Sequence, residues 1–373
     1  MTQSSAVVVG AGVFGGWTAL HLLRKGVSVT LVDAWGPGHS RASSGGETRV
    51  IRATYGADEI YTRWVVRSLE LWKEYEKRWD IKLYHRMGGL WMASADGTYE
   101  RAAIQVLKKV GVPFEELSVS EAARRFPQIN FEDVEWAIYE EDCGYLLARR
   151  GCQAVLEAFI ELGGTYVQSA AKRGRKGVVL SNGETLSADN YVFACGPWLG
   201  GLFPELGETF ITPTRQEIYY FGTPLGDTRY LEGFCPIWID NGPRLYYGIP
   251  GSNWRGFKVA DDSTGETVDP TTMERLPREE SIAAARDYME FRFPGMKGAP
   301  LVEARVCQYE NSTDHNFIID RHPDAENVWV VGGGSGHGYK HGPALGEHVA
   351  EVVLGETPPN PFFGLSRLAL KNA

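Results

Sequence analysis

The chain has 373 residues, 43% hydrophobic and 23% charged, a balance that suits a soluble globular protein with room for two domains or one large one. A net charge of −9 argues against nucleic acid or an anionic membrane as partner, and no apolar run approaches a membrane-spanning length. Cys143, Cys152, Cys195, Cys235 and Cys307 form no CxxC pair and no dense framework, and no basic segment precedes the first apolar run as in a signal peptide. The expected location is the cytoplasm.

The apolar run Val7-Val8-Val9 leads straight into Gly10-Ala11-Gly12-Val13-Phe14-Gly15. A helical stretch over 17–25, Gly26, and a second apolar strand ending on Asp33 follow. Strand, glycine turn, helix, strand and acid make the βαβ unit that holds the ADP half of a dinucleotide. Gly10 permits the tight turn, Gly12 lets the backbone approach a pyrophosphate, and Gly15 lets helix and strand pack closely. The phosphates belong at the helix N-terminus, where N–H groups and the dipole favour negative charge. Asp33, eighteen residues past Gly15, is placed to meet ribose hydroxyls.

A polar glycine-rich loop spans 36–46 and leads to Thr48-Arg49-Val50-Ile51-Arg52. Ile60, Trp64, Leu69, Leu71, Trp72 and Tyr75 recur at near-helical spacing and predict a long amphipathic helix over 59–79. Gly88-Gly89-Leu90-Trp91-Met92 reads as a strand after a turn. Ser118 with Glu121 is a capping box that starts a helix ended at Phe126-Pro127. From Gly144 the pattern returns to helix (about 152–162) and strand (166–169), then a hairpin turning at Asn182-Gly183. The buried strand 190–195 breaks at Gly196-Pro197-Trp198, and short aromatic strands dominate 210–258. Strands near 305–309, 317–320 and 328–331 precede Gly332-Gly333-Gly334-Ser335-Gly336-His337-Gly338 and a terminal helix from about Pro343. This second strand–glycine loop–helix lies more than 300 residues after the first. A nicotinamide dehydrogenase rarely needs the far end of the chain to complete its site, whereas a larger flavin cofactor does. The fold class is therefore α/β (α+β overall), a Rossmann-type nucleotide-binding domain with a second, mainly antiparallel-sheet domain.

The fingerprint, Gly46-Glu47-Thr48-Arg49-Val50-Ile51-Arg52, Ala194-Cys195-Gly196-Pro197-Trp198, Cys307-Gln308-Tyr309, Phe317-Ile318-Ile319-Asp320 and Gly334-Ser335-Gly336-His337-Gly338-Tyr339-Lys340 together resemble the monomeric sarcosine oxidase group of the FAD-dependent D-amino-acid-oxidase superfamily over essentially the whole chain. The resemblance implies an FAD-binding domain from 1–83, 141–211 and 314–373 and a substrate domain from 84–140 and 212–313. It also implies oxidation of the C–N bond of a secondary amino acid, hydrolysis of the imine, and hydrogen peroxide from O₂, in a monomer or weak homo-oligomer. By the same resemblance Cys307 carries the flavin through a thioether, Lys258 activates oxygen over the ring, and Arg49 sits beside it. Tyr247 and Tyr309 line the substrate pocket, and Arg52 and Lys340 bind the substrate carboxylate. The cofactor set implied is Gly10, Gly12, Val13, Phe14, Gly15, Asp33, Ser44, Thr48, Gly196, Trp198, Cys307, Gly334, Gly336, His337, Gly338 and Lys340, with no metal.

Read without the resemblance, Cys307 is a buried strand cysteine, Lys258 a surface lysine, Tyr247 one strand aromatic among many, and Arg49 with Arg52 an ion-pairing helix face. His337 reads as structural, with the loop's N–H groups aimed at the flavin. Two departures bear on substrate. Ser44-Gly45 stands where sarcosine-specific enzymes have two histidines, and Asp262 where they have a histidine four residues past the lysine. Losing an imidazole near the ring is expected to open volume, and the new carboxylate to bind a cation or polyol hydroxyls. A substrate bulkier than sarcosine follows: an N-alkyl amino acid, a cyclic imino acid or a fructosyl amino acid. A dehydrogenase passing electrons to a carrier is the remaining alternative.

Overall fold

The structure is a computed structural model that describes residues 4–175, 177–206, 210–242 and 244–369. Its nucleotide layer is a six-stranded sheet in the order Ile318–His322, Ala325–Gly332, Asn190–Phe193, Ser5–Val9, Ser28–Asp33, Thr165–Gln168. All neighbours pair in parallel except the first two, which are antiparallel. Strands from the beginning, middle and end of the chain thus lie side by side. The central ones are buried on both faces, which is why Val7-Val8-Val9 and Val328 to Val331 read as continuous apolar runs.

The helix Val13–Arg24 follows the glycine turn and packs against the C-terminal helix Gly342–Val353. Gly346 permits that approach, since a Cβ there would stand 2.6 Å from Trp17. Trp17 itself is edge-on to Trp72 of the long helix Glu59–Trp79, at a centroid distance of 5.2 Å. That helix has the bounds its periodicity predicts. Its inner face is Tyr61, Val65, Leu71, Trp72 and Tyr75, while Ile60, Trp64 and Leu69 are only partly covered.

The second layer is an eight-stranded sheet: Leu301–Asn311, Thr212–Phe221, Phe257–Asp261, Leu245–Ile249, Ile237–Asn241, Gly89–Ala93, Trp136–Glu140, Phe114–Ser118. Its pairs are antiparallel except Ile237–Asn241 with Gly89–Ala93. The capping box at Ser118 and Glu121 is present and starts Val119–Arg125. Two long helices have no counterpart in the sequence pattern, Thr98–Val110 and Glu279–Arg292. The second buries only Ala285, Tyr288, Met289 and Arg292. A polar anchor fixes it to the sheet, with Asp240 Oδ2 accepting from Tyr288 at 2.8 Å and from Arg292 at 2.6 Å, so its apolar stripe is weak. The helix expected from about 152 starts earlier, as Ala148–Glu161, and Arg49 lies on a strand, Thr48–Ile51, rather than on a helix face.

Candidate active site

The glycine turn opens one end of a cavity of about 410 Å³ between the parallel sheet and the Gly196-Pro197-Trp198 turn. Gly10, at φ +105°, turns where a Cβ would stand 2.3 Å from the Ala194 carbonyl oxygen, so no side chain fits. Gly12, Val13 and Phe14 line the wall at the helix N-terminus, while Gly15 lies behind it against Gly10. Asp33 lines the cavity beside the glycine turn. Its carboxylate already accepts N–H bonds from Ala11 at 2.8 Å, Trp35 at 2.9 Å and Gly36 at 2.8 Å, so it shapes the turn as well as facing the cavity. Ser44 Oγ accepts from Val13 N–H at 3.2 Å, and Trp198 closes the opposite wall 5.1 Å from the Trp35 ring.

A second cavity, about 400 Å³, lies where the glycine-rich C-terminal loop meets the eight-stranded sheet. Arg49, Arg52, Tyr247, Tyr309, Gly336, His337 and Lys340 all line it, brought together from four separated stretches of chain. The Arg52 guanidinium is held between the rings of Tyr55 at 4.5 Å and Trp91 at 4.8 Å. Lys340 Nζ donates to Tyr55 Oη at 2.9 Å and to the His337 carbonyl at 3.0 Å. Burial, with Arg52 next, holds the Lys340 ammonium well below its ordinary pKa. Two cations converging in one pocket suit a carboxylate ligand, which would satisfy both. Across from them Tyr309 Oη donates to Asp262 Oδ1 at 2.8 Å. Asp262 touches solvent on the cavity's open side, yet the enclosing protein still raises its carboxyl above the usual range.

Next to the second cavity, and sharing Arg49, Tyr247, Tyr309 and Gly336 with it, a small space of about 20 Å³ is also lined by Lys258 and Cys307. Lys258 is 1% exposed, not a surface lysine, and its Nζ points at the Thr48 carbonyl at 3.4 Å. Burial and the neighbouring Arg49 push its pKa down to about 7. Arg49 donates to the carbonyls of Ser43 and Thr48 and lies 3.8 Å from Cys307 Sγ. Thr48 lines neither large cavity; its carbonyl organises both cations.

Two expectations are corrected. The C-terminal loop does not aim all its N–H groups outward: Gly334 N–H goes to Glu310 Oε1, Ser335 N–H to the Glu310 carbonyl, and His337 N–H to the Gly334 carbonyl. Gly45 opens no volume, because a Cβ there would stand 1.9 Å from the His39 carbonyl oxygen; the loop has closed into the space.

The family model of FAD-dependent oxidoreductases (DAO) matches residues 5–352. The chain belongs to this family. The flavoenzyme is 31% identical to a monomeric sarcosine oxidase of Streptomyces avermitilis over 97% of both chains. Its fold is similar to L-proline dehydrogenase from P. horikoshii, with a TM-score of 0.85, 22% identity and coverage of 99% and 98% of the two chains. It is also similar to a fructosamine oxidase from Aspergillus fumigatus, with a TM-score of 0.82, 20% identity and coverage of 100% and 92%.

FAD fits the residues present. The cradle at Gly10 and Gly12, the open helix N-terminus and the buried polar atoms Ser43 Oγ and Glu310 Oε2, which have no partner among the described residues, match a long polar cofactor. Within the flavoenzyme, sequence reasoning missed Tyr55, Trp91 and Glu310. Only tertiary contacts distinguish these three from core aromatics and a strand carboxylate. Among the described residues no helix is long and apolar enough to cross a membrane.

Proposed function

We propose that this flavoenzyme oxidises the C–N bond of a secondary, N-substituted amino acid, that the imine product hydrolyses, and that O₂ is the final acceptor, giving hydrogen peroxide. The observation that carries this reading is the convergence of Arg52 and Lys340 in one cavity with Tyr309 and Arg49. Bound FAD supplies a two-electron acceptor for the hydride of the substrate's α-C–H or N-alkyl C–H. Arg52 and Lys340 anchor the carboxylate, which fixes the amine carbon relative to the rest of the site. Tyr247 and Tyr309 wall the amine and exclude water. Lys258 places a positive charge in a dry site where O₂ gains negative charge, which favours an oxidase over a carrier-linked dehydrogenase. Cys307, beside Arg49, is the attachment point for the flavin; protein that keeps its yellow colour after denaturation and filtration carries that bond.

The cavity is larger than sarcosine needs, and beyond Arg52 it continues past Trp91, Tyr99, Ile239 and Asn241. Asp262 favours a second reading, a fructosyl amino acid, because a carboxylate on the open side accepts sugar hydroxyls. Anaerobic mixing with sarcosine and with a fructosyl amino acid, followed by flavin absorbance, separates the two. Bleaching by sarcosine alone leaves Asp262 a tolerated variation. Bleaching by the sugar adduct alone makes this a deglycating oxidase. Bleaching by neither removes both substrates, and absence of peroxide under air with any reducing substrate removes the oxidase.

A further inference from the structure

Glu310 stands on the strand Leu301–Asn311 that carries Cys307 and Tyr309, but it lines the nucleotide cavity rather than the substrate cavity. It is 8% exposed. Its Oε1 accepts Gly334 N–H at 3.2 Å, while Oε2 has no hydrogen-bond partner and no cation is paired with the carboxyl among the described residues. Two turns are shaped around it. A Cβ at Gly334 would stand 2.8 Å from Oε1, and one at Gly196 would stand 3.2 Å from Oε2. A buried acceptor left bare is disfavoured, so this arrangement calls for a donor supplied from the cavity. Burial pushes the carboxyl up to about 7, in keeping with an incomplete set of partners.

The chemistry of the cofactor narrows the donor. The diphosphate offers only acceptors and negative charge, and its place is the helix N-terminus at Gly12 and Val13. Asp33 and Trp35 mark the adenosine end, and Arg49 and Cys307 the ring end. Between diphosphate and ring, FAD carries a polyol whose hydroxyls are donors. We propose that Glu310 is a cofactor-binding residue whose Oε2 accepts a hydrogen bond from a hydroxyl of the ribityl chain of FAD. Through Oε1 the same carboxyl ties that contact to the C-terminal glycine turn, so strand, loop and cofactor are joined at one side chain.

The test uses holoenzyme carrying Cys307→Ser, so that the flavin is exchangeable, and reads the rate of FAD release by the recovery of flavin fluorescence. Glu310→Ala is expected to release FAD about tenfold faster or more, as loss of a hydrogen bond to a charged acceptor requires. Glu310→Gln, which keeps an oxygen for Gly334 and a polar group for the hydroxyl, is expected to stay within about threefold of the parent. Reconstitution with FAD analogues lacking single ribityl hydroxyls distinguishes this contact from a purely structural one. One analogue is expected to leave the parent faster than FAD does, yet to leave Glu310→Ala no faster than FAD does. Equal release from parent and Glu310→Ala overturns the proposal, as does an analogue series that shifts both proteins alike. Should Glu310→Ala fail to fold, the same series on the parent and Glu310→Gln still decides: if no single hydroxyl alters release from the parent, the proposal is wrong.

Discussion

Lys258 and Lys340 show how one residue type is put to two uses by its surroundings. Lys258 is sealed beside Arg49 and Cys307, apart from the Arg52 and Lys340 pair. Lys258→Met is expected to slow reoxidation of the reduced enzyme by O₂ by about a hundredfold or more, while anaerobic reduction by substrate changes only a few-fold; stopped-flow measurement of both half-reactions checks this. Lys340, by contrast, faces the ligand. Burial lowers its pKa in the free enzyme, and a carboxylate beside Nζ raises it again. Between those two values, binding takes up a proton, and carboxylate affinity falls as pH rises through the window. Calorimetry of propionate binding in two buffers of different ionisation enthalpy reads this directly; identical heats in both would mean that Lys340 is already charged. The residue types of both lysines are legible in the chain, but their burial is not. Gly45 marks the limit from the other side, since its missing side chain reads as empty space until the His39 carbonyl is seen to fill it.

At the scale of elements, the glycine fingerprint, the helix Glu59–Trp79 and the capped helix at Ser118 are legible because their signals are local: a turn conformation, a period and a cap. The helix Glu279–Arg292 escapes because its anchor is the polar group of Asp240, Tyr288 and Arg292, whose partner strand lies about forty residues earlier. The packing of Gly342–Val353 on Val13–Arg24 is a tertiary fact that the sequence marks only with a glycine. Gly346→Leu is expected to cost about 1–3 kcal/mol by forcing the helix off Trp17. The check is a lowered melting temperature together with weaker FAD retention, since the displaced helix carries the fingerprint turn. An unchanged melting temperature would show that the two helices can part without loss.

For the whole molecule, pH stability follows from histidines held neutral inside it. His21 is buried among Trp17 and Tyr75, and burial lowers its pKa from 6.5 to about 4. His337 is lowered to about 3 by burial and Lys340, and His341 falls well below its ordinary value for the same reasons. A group whose folded pKa is depressed in this way is protonated first in the unfolded chain, so stability is lost as pH falls below about 6.5. The His21 share is about 3 kcal/mol across the window down to about pH 4. His21→Gln is expected to flatten that part of the acid limb in a melting series from pH 7 to pH 4, and parallel slopes for both proteins would show that His21 does not contribute. The sequence by itself determined the dinucleotide-binding class and the parallel core, because glycine spacing and apolar runs are properties of neighbouring residues, and it pointed to the cations only through the family its motifs resemble. The tertiary structure alone decided that Arg52 is clamped between Tyr55 and Trp91, that Lys258 is dry, and that Glu310 reaches the nucleotide cavity. Each of these depends on strands far apart in the chain meeting in space, and burial and desolvation, which set the chemistry, exist only once they have met.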